Sequence, residues 1–494
     1  MFDEIELKLG LAPGEALHLR RSAVLQGLRS SRRLLHSVYF DTPGFDLMRQ
    51  GVALRLRKVG RRWVQTVKAE AGQAGALTVR PEWEVPVRAG RLDIDGLPEA
   101  ARGFFTPAVV AALAPCFSTH FERTTWLIAR AGERLELALD RGEIRAGRRR
   151  LAISEVELEL QEGRPAFLFD VAERLMETVA FHMEPRSKAE RGYQLAGAVV
   201  PRPVKAIAPA LEMAAAPGHA WRTMVGAALT QLTANVPGLL ADDDPEYIHQ
   251  ARVAIRRLLA LAGLARLVGL RRPAWRGGLR ALMGKLAPVR EWDVFIGEVL
   301  PSLRGITPRQ RDSVLAAAVR KQRLLRQRAR TALRAAEFVA LILLIGRDLV
   351  SEYEGGGSMR QWAKTALDSR LKTLRRRGRR FDRLDSAARH RLRIAAKKLR
   401  YVADAFAPLY GEAAEAYLER LAALQDELGR ANDLRMALDG LPRLKLDAAL
   451  ATRLRGALAR SLKDQAAQAD GQASTLWHGL HKRRPFWRKP VTRA

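Results

Sequence analysis

Glu4-Ile5-Glu6-Leu7-Lys8 is the stretch on which the reading of this chain turns. In an extended strand, side chains alternate between two faces with a period of two. Glu4, Glu6 and Lys8 therefore share one face, and Ile5, Leu7 and Leu9 share the other. Taken alone, that is an ordinary half-buried strand with its charges in water. The pattern recurs along the chain, however. Arg55 and Arg57 alternate with Leu54 and Leu56, and Lys68 closes the segment that starts at Trp63. Arg80, Glu82 and Glu84 alternate with Val79, Trp83 and Val85. Glu136 and Asp140 share a face, and Glu155, Glu157 and Glu159 alternate with Val156, Leu158 and Leu160. Strand after strand carries charge on one face and aliphatic side chains on the other, which predicts a sheet with one charged face.

Carboxylate-rich strands beside arginine-rich ones suggest a chemistry. Carboxylate oxygens hold hard divalent cations such as Mg²⁺ or Mn²⁺. Arginine forks match phosphate oxygens, and lysine adds a point charge. A sheet closed into a barrel would bring all these groups into one lumen, suited to a metal-bound polyphosphate. The competing picture is an open sheet with outward ion pairs, which contribute little individually. Recurrence of the alternation favours the lumen.

The first 200 residues resemble the CYTH domain of the triphosphate tunnel metalloenzymes, of the inorganic triphosphatase type. The landmarks are Glu4-Ile5-Glu6-Leu7-Lys8, Tyr39-Phe40-Asp41-Thr42-Pro43 and Leu54-Arg55-Leu56-Arg57. Leu139-Asp140-Arg141-Gly142-Glu143, Glu155-Val156-Glu157 and Ser187-Lys188-Ala189-Glu190-Arg191-Gly192-Tyr193 complete the set. The resemblance implies eight antiparallel strands closed into a tunnel that hydrolyses a triphosphate with a divalent metal, Mg²⁺ or Mn²⁺. It makes Glu4, Glu6, Asp140, Glu155 and Glu157 metal-binding candidates, with Glu159 on the same face. Lys8, Arg55, Arg57, Lys68, Arg80, Arg145, Lys188 and Arg191 become phosphate-binding candidates. Glu4, Glu6 and Lys8 are the catalytic candidates. The implied substrate is inorganic tripolyphosphate. Organic triphosphate hydrolysis or adenylate cyclase chemistry of the same tunnel family is an alternative.

Composition divides the chain. Of its 494 residues, the first 200 hold 30 Lys+Arg against 26 Asp+Glu, whereas residues 201–494 hold 55 against 27. The second part is strongly basic and implies a polyanionic partner. A single cysteine, Cys116, excludes an intramolecular disulfide framework. No secretory signal is recognised, and the notably apolar run Phe338–Ile345 is too short to cross a bilayer. The expectation is therefore a cytoplasmic protein without a membrane partner; association with polyphosphate granules is a separate expectation, tied to the basic tail that begins near Lys482.

Pro201, Pro203, Pro209 and Pro217 mark a linker, after which the pattern turns helical. An internal repeat follows. His249-Gln250-Ala251-Arg252-Val253-Ala254-Ile255-Arg256-Arg257-Leu258 matches His390-Arg391-Leu392-Arg393-Ile394-Ala395-Ala396-Lys397-Lys398-Leu399. Helical spacing gathers His249, Arg252, Arg256 and Arg257 on one face, and correspondingly His390, Arg393, Lys397 and Lys398. A weaker second match aligns Leu286-Ala287-Pro288-Val289-Arg290-Glu291 with Leu428-Gly429-Arg430-Ala431-Asn432-Asp433, in which the leucine and the acidic position agree. Clustered like charges at helical spacing are destabilising without a partner anion. The run Arg370–Arg400 holds 14 Lys or Arg in 31 residues.

The duplicated motif resembles the CHAD domain, and that resemblance implies binding of long-chain inorganic polyphosphate by those eight residues. Nucleic acid is a competing polyanion, disfavoured because the two repeated motifs themselves carry only aliphatics and cations, with Tyr401 just beyond the second and Tyr247 just before the first. A non-catalytic polyphosphate-binding scaffold is the alternative from another functional class. The expected organisation is α+β and multidomain. An eight-stranded antiparallel β-barrel with helices fills 1–200, a linker 201–217, a duplicated all-α bundle 218–484, and a flexible basic tail 485–494.

Overall fold

In the computed structural model, the described residues are 3–69, 73–74, 77–88, 90–352 and 356–488. The chain divides into two compact units, the first of which takes in 1–204 together with Thr233–Ala241 and Arg334–Ser351.

Among the described residues, the first unit contains ten strands: β1 (Asp3–Leu11), β2 (Ser30–Asp41), β3 (Val52–Val59), β4 (Arg62–Ala69), β5 (Gln73–Ala74), β6 (Leu77–Val87), β7 (Ala114–Arg130), β8 (Glu133–Ala146), β9 (Arg149–Glu162) and β10 (Phe181–His182). The sheet runs β10-β1-β9-β8-β7-β2-β3-β4-β6-β5, and β1 also pairs with β6. That extra pairing closes eight strands into an antiparallel barrel. The two-residue strands β5 and β10 are appendages outside the ring. Closure removes the sheet edges and fixes which faces look inward.

Register carries the sequence alternation around the ring. Glu6 lies opposite Glu159, Lys8 opposite Glu157, and Gly10 opposite Glu155. Asp140 lies opposite both Glu155 and Arg123. Ser37 lies opposite Arg57 and Tyr39 opposite Arg55. The turn between β7 and β8 is a two-residue Ala131-Gly132 pair, both with positive φ, the form whose twist suits a tight hairpin.

The longer helices are α1 (Ala166–Met176), α2 (Lys188–Ala196), α3 (Pro217–Ala241), α4 (Pro245–Ala262), α5 (Arg276–Val294), α6 (Pro308–Arg334), α7 (Ala336–Leu349), α8 (Met359–Arg377), α9 (Ser386–Phe406), α10 (Glu412–Gly440) and α11 (Ala448–Lys482). Helix α2 packs on β7, β8 and β9. It starts at a capping box in which Ser187 and Glu190 satisfy each other's backbone amides. Its Tyr193 joins Leu35, Tyr39, Phe117, Phe121, Ile144 and Ile153 in an apolar cluster. Gly192 is obligatory there, since a Cβ would lie 2.0 Å from the Phe117 ring. The apolar run Phe338–Ile345 falls within α7, which packs on α1 within the same unit, where Arg347 pairs with Asp170 and Glu173.

In the second unit, α4 and α9 carry the two copies of the histidine motif and pack against each other. Ala251, Ala254, Leu258 and Leu261 are buried, as are Leu392, Ala395, Leu399 and Val402, so the apolar stripes lie where the repeat puts them. The weaker second match also has a structural counterpart. Arg252 Nη1 donates to Ala287 O at 3.4 Å in the first copy, and Arg393 packs against Gly429 in the second. Both follow-on segments are helical, and Pro288 is accommodated inside α5.

One expectation needs correction. The basic tail is not wholly flexible: Phe486 and Trp487 are each 2 % exposed, and Trp487 Nε1 donates to Asp368 at 2.9 Å. Aromatic side chains bury large apolar area, and here Tyr410 and Tyr417 receive them. The linker 201–216 contains no helix, and Val204 is strapped to the Asn235 amide through its N–H and carbonyl, at 2.9 and 2.8 Å. Among the described residues, the helix long and apolar enough to span a membrane is α3 rather than the Phe338 run, and 61 % of its apolar window is buried within the protein.

Candidate functional site

A cavity of about 1110 Å³ occupies the barrel. Its lining includes Glu6, Lys8, Arg55, Arg57, Lys68, Glu157, Glu159 and Lys188 from the expected set. Asp140, Glu155 and Arg191 lie just behind that surface, buried, and bonded to the lining residues Arg123, Lys188 and Ser187 respectively. The barrel thus brings eleven of the expected residues together.

The deepest part is an ion cluster. Lys188 Nζ lies 2.7 Å from Asp140 Oδ2, 2.5 Å from Glu155 Oε1 and 2.7 Å from Glu157 Oε1. Arg123 clasps Asp140 through Nε and Nη2 at 2.8 and 2.6 Å and also pairs with Glu157. Arg191 pairs with Glu155. Asp140 and Glu155 are 0 % exposed. Burial pushes the Glu157 carboxyl up, but Lys188 and Arg123 outweigh it and hold it well below the usual range. Glu155 is lowered on the same balance, with Lys188, Lys8 and Arg191 opposing its burial. For Lys188, burial acts downward and the three carboxylates prevail, raising it above the ordinary lysine value.

The opposite wall is cationic. Arg55 reaches Glu82 at 3.2 Å and Glu84 at 3.5 Å, while Lys68 pairs with Glu82 at 2.7 Å. Arg57 donates to the Ser37 hydroxyl at 3.0 Å, and burial next to Arg55 brings it down to about 10. Lys8 lies instead on β1, beside the carboxylates of β9; it donates to the Arg186 carbonyl, and burial lowers it despite Glu155.

Asp140, Glu155 and Glu157 each offer an oxygen, all within 4.8 Å of one another. Glu155 Oε1 is buried and receives no aligned hydrogen bond, although Lys188 is at ion-pair distance. An all-oxygen, anionic donor set with an under-satisfied member fits a hard divalent cation. Glu6 and Glu159, directly opposed across β1 and β9, form a second acidic pair at which a cation would offset like-charge repulsion.

Arg145 is placed elsewhere. It lies five residues from Asp140, so a period of two turns it to the outer face, where it pairs with Glu143. The side chains of Glu4 and Arg80 lie outside the described residues, although the two residues pair in register across β1 and β6. Arg123, Glu82, Glu84 and Arg186 line the cavity without having been singled out. Glu82 and Glu84 were visible in the alternation. Arg123 sits two residues from Phe121 on one face of β7, a signal too short to separate it from surface arginines.

In the second unit a cavity of about 640 Å³ is lined by Arg256, His390, Arg393, Lys397 and Lys398, together with Arg266, Arg272, Arg276, Arg280, Arg370 and Tyr401. Lys397 is brought down to about 7 by burial and by Arg393 and Arg256, with Asp433 opposing. His249 and Arg252 are half-buried beside this cavity rather than in its wall. Arg257 departs from the expectation: it is 7 % exposed and donates to Gln231 Oε1 at 3.1 Å. Gln231 and Asp404 claim it, whereas its counterpart Lys398, at the same i+8 position of the second copy, lines the cavity.

Comparison with known proteins fits this picture. Residues 3–193 match the family described as CYTH domain, and residues 223–442 match the family described as CHAD domain. An inorganic triphosphatase of Haemophilus influenzae is 33 % identical over 198 residues, covering 40 % of this chain. The match spans 55 % of that relative's length. The crystal structure of the CHAD domain from the plant Ricinus communis covers 57 % of this chain and 98 % of its own, at 30 % identity and a TM-score of 0.53. The chain is a CYTH domain followed by a CHAD domain.

Proposed function

We propose that the barrel hydrolyses inorganic tripolyphosphate to pyrophosphate and phosphate with Mg²⁺ or Mn²⁺, and that the helical half binds long-chain inorganic polyphosphate. The observation that carries the first part is the convergence of a carboxylate triad and a wall of arginine and lysine on one cavity. The similarity to an inorganic triphosphatase supports it. Asp140, Glu155 and Glu157 would hold one divalent ion, and Glu6 with Glu159 a second. Bound there, such an ion neutralises phosphoryl oxygens and acidifies a water. Arg55, Arg57, Lys68 and Lys8 bind and orient the phosphate chain. Their positive charge is placed where the leaving pyrophosphate gains negative charge as the P–O–P bond breaks.

The basic cavity of the second unit, with cations from both copies of the repeat, supports polyphosphate binding. A second reading of the barrel has its own support: Trp83, Met48 and Tyr39 line the cavity and could receive an organic group. The deciding assay is phosphate release from tripolyphosphate, ATP and thiamine triphosphate, each with Mg²⁺, Mn²⁺ or EDTA. Metal-dependent turnover confined to tripolyphosphate is expected. Turnover of the organic substrates would favour the second reading. Absence of turnover by folded protein would leave a polyphosphate-binding scaffold.

A further inference from the structure

The carboxylate triad is already neutralised. Asp140, Glu155 and Glu157 bring three negative charges, and at ion-pair distance Lys188, Arg123 and Arg191 answer with three positive ones, with Lys8 adding a further positive charge from beyond that range. A divalent cation added to that cluster would leave two uncompensated positive charges in a poorly solvated site, which is costly. One resident cation must therefore leave.

The three cations are not equivalent. Arg191 is buried, absent from the cavity wall, ion-paired with Glu155 and bonded to the Ser187 carbonyl. Arg123 is fixed by a two-pronged clasp on Asp140. Lys188 alone touches all three carboxylates, so it occupies the point they share. It also lines the cavity, which gives its ammonium somewhere to go. The capping box at Ser187 and Glu190 fixes its backbone, so the move is a rotation of the four-carbon stem rather than a shift of the helix.

We infer that Lys188 is the resident counter-ion of the metal site, a lysine that a divalent cation displaces on binding and that then turns to the phosphate chain in the cavity. The inference rests on the metal-dependent reading of the barrel and adds a direction to it. Lys188 opposes metal binding in the absence of substrate and favours substrate once metal is bound. Metal and triphosphate thus bind cooperatively, because the phosphate gives the displaced ammonium a new partner.

The test is Mn²⁺ binding to the full chain without any phosphate, by titration calorimetry, on wild type, Lys188→Met, Lys188→Gln and Glu157→Gln. Removing one positive charge from the shared point should tighten Mn²⁺ binding on the order of tenfold or more in both lysine variants. At saturating Mn²⁺, both should bind tripolyphosphate more weakly than wild type. Unchanged or weaker Mn²⁺ affinity in folded lysine variants, with binding still lost in Glu157→Gln, overturns the inference and leaves the metal-dependent reading intact. Absence of any Glu157-dependent binding overturns both. Wild-type protein offers a measurement free of folding artefacts. With ¹⁵N-labelled lysine, the slowly exchanging buried ammonium signal, identified by its loss in Lys188→Gln or in the metal-free Glu157→Gln protein, should vanish on adding Mg²⁺ alone. Its persistence under saturating Mg²⁺ also overturns the inference.

Discussion

Asp140→Asn is the most informative single perturbation. The carboxylate is fully buried and accepts two bonds from Arg123, with Lys188 Nζ 2.7 Å away. The amide preserves shape and removes one charge, leaving three cations against two carboxylates. Removing one partner of a buried pair costs about 3–5 kcal/mol. Arg123 keeps Glu157, and Lys188 keeps Glu155 and Glu157, so the lower end applies. About 3 kcal/mol corresponds to about a hundredfold in the opening equilibrium of the barrel. Hydrogen exchange across β8 and β9 reads that opening locally, independently of the helical unit. A cycle with Arg123→Met should return a coupling of about 2 kcal/mol. Tripolyphosphate hydrolysis should fall to background, since a candidate metal ligand is lost. Unchanged exchange in β8 and β9, or hydrolysis within a few-fold of wild type, would refute the assignment of Asp140 to a buried ion cluster that holds metal.

Other consequences can be checked as directly. Gly192→Ala places a Cβ 2.0 Å from the Phe117 ring. Overpacking of this kind costs about 1–3 kcal/mol, and the displaced α2 should carry Lys188 and Arg191 away from their carboxylates, reducing hydrolysis while sparing polyphosphate binding. In the second unit, Arg256→Met should weaken polyphosphate binding and lower its salt slope by about one. Arg257→Met should leave that slope unchanged and lower stability instead, because Arg257 bonds Gln231. Lys397, brought down to about 7, should make polyphosphate affinity depend on pH. The anion favours the charged amine, so affinity is full below pH 7 and falls as pH rises through about 7; titrations at several pH values should show this fall, flattened in Lys397→Met. For folding the sign is opposite. The lowered folded-state value means the native state sheds this proton before the unfolded chain does, so this contribution to stability improves as pH rises from about 7 toward the ordinary value of 10.5.

Much of the site is one-dimensional information. A period of two assigns Glu6, Lys8, Arg55, Arg57, Asp140, Glu155 and Glu157 to one face of their strands, because consecutive side chains in an extended backbone cannot share a face. The same rule turns Arg145 outward, and the structure puts it there with Glu143. The histidine repeat likewise specifies two amphipathic helices, since their buried stripes follow from helical spacing alone. Periodicity says which way a side chain points but not what it meets. Pairing of β1 with β6 closes the barrel, a contact between segments some seventy residues apart that no local pattern encodes. Closure then lets Lys188 from a helix reach carboxylates on β8 and β9 and makes Arg123 their partner. It was also tertiary packing that drew Arg257 away to Gln231 and folded Phe486 and Trp487 into a core. The sequence alone determined the charged faces and the two-part organisation; the tertiary structure decided the ion pairs, because charge pairing depends on distances across strands and helices that meet only after the chain has closed on itself.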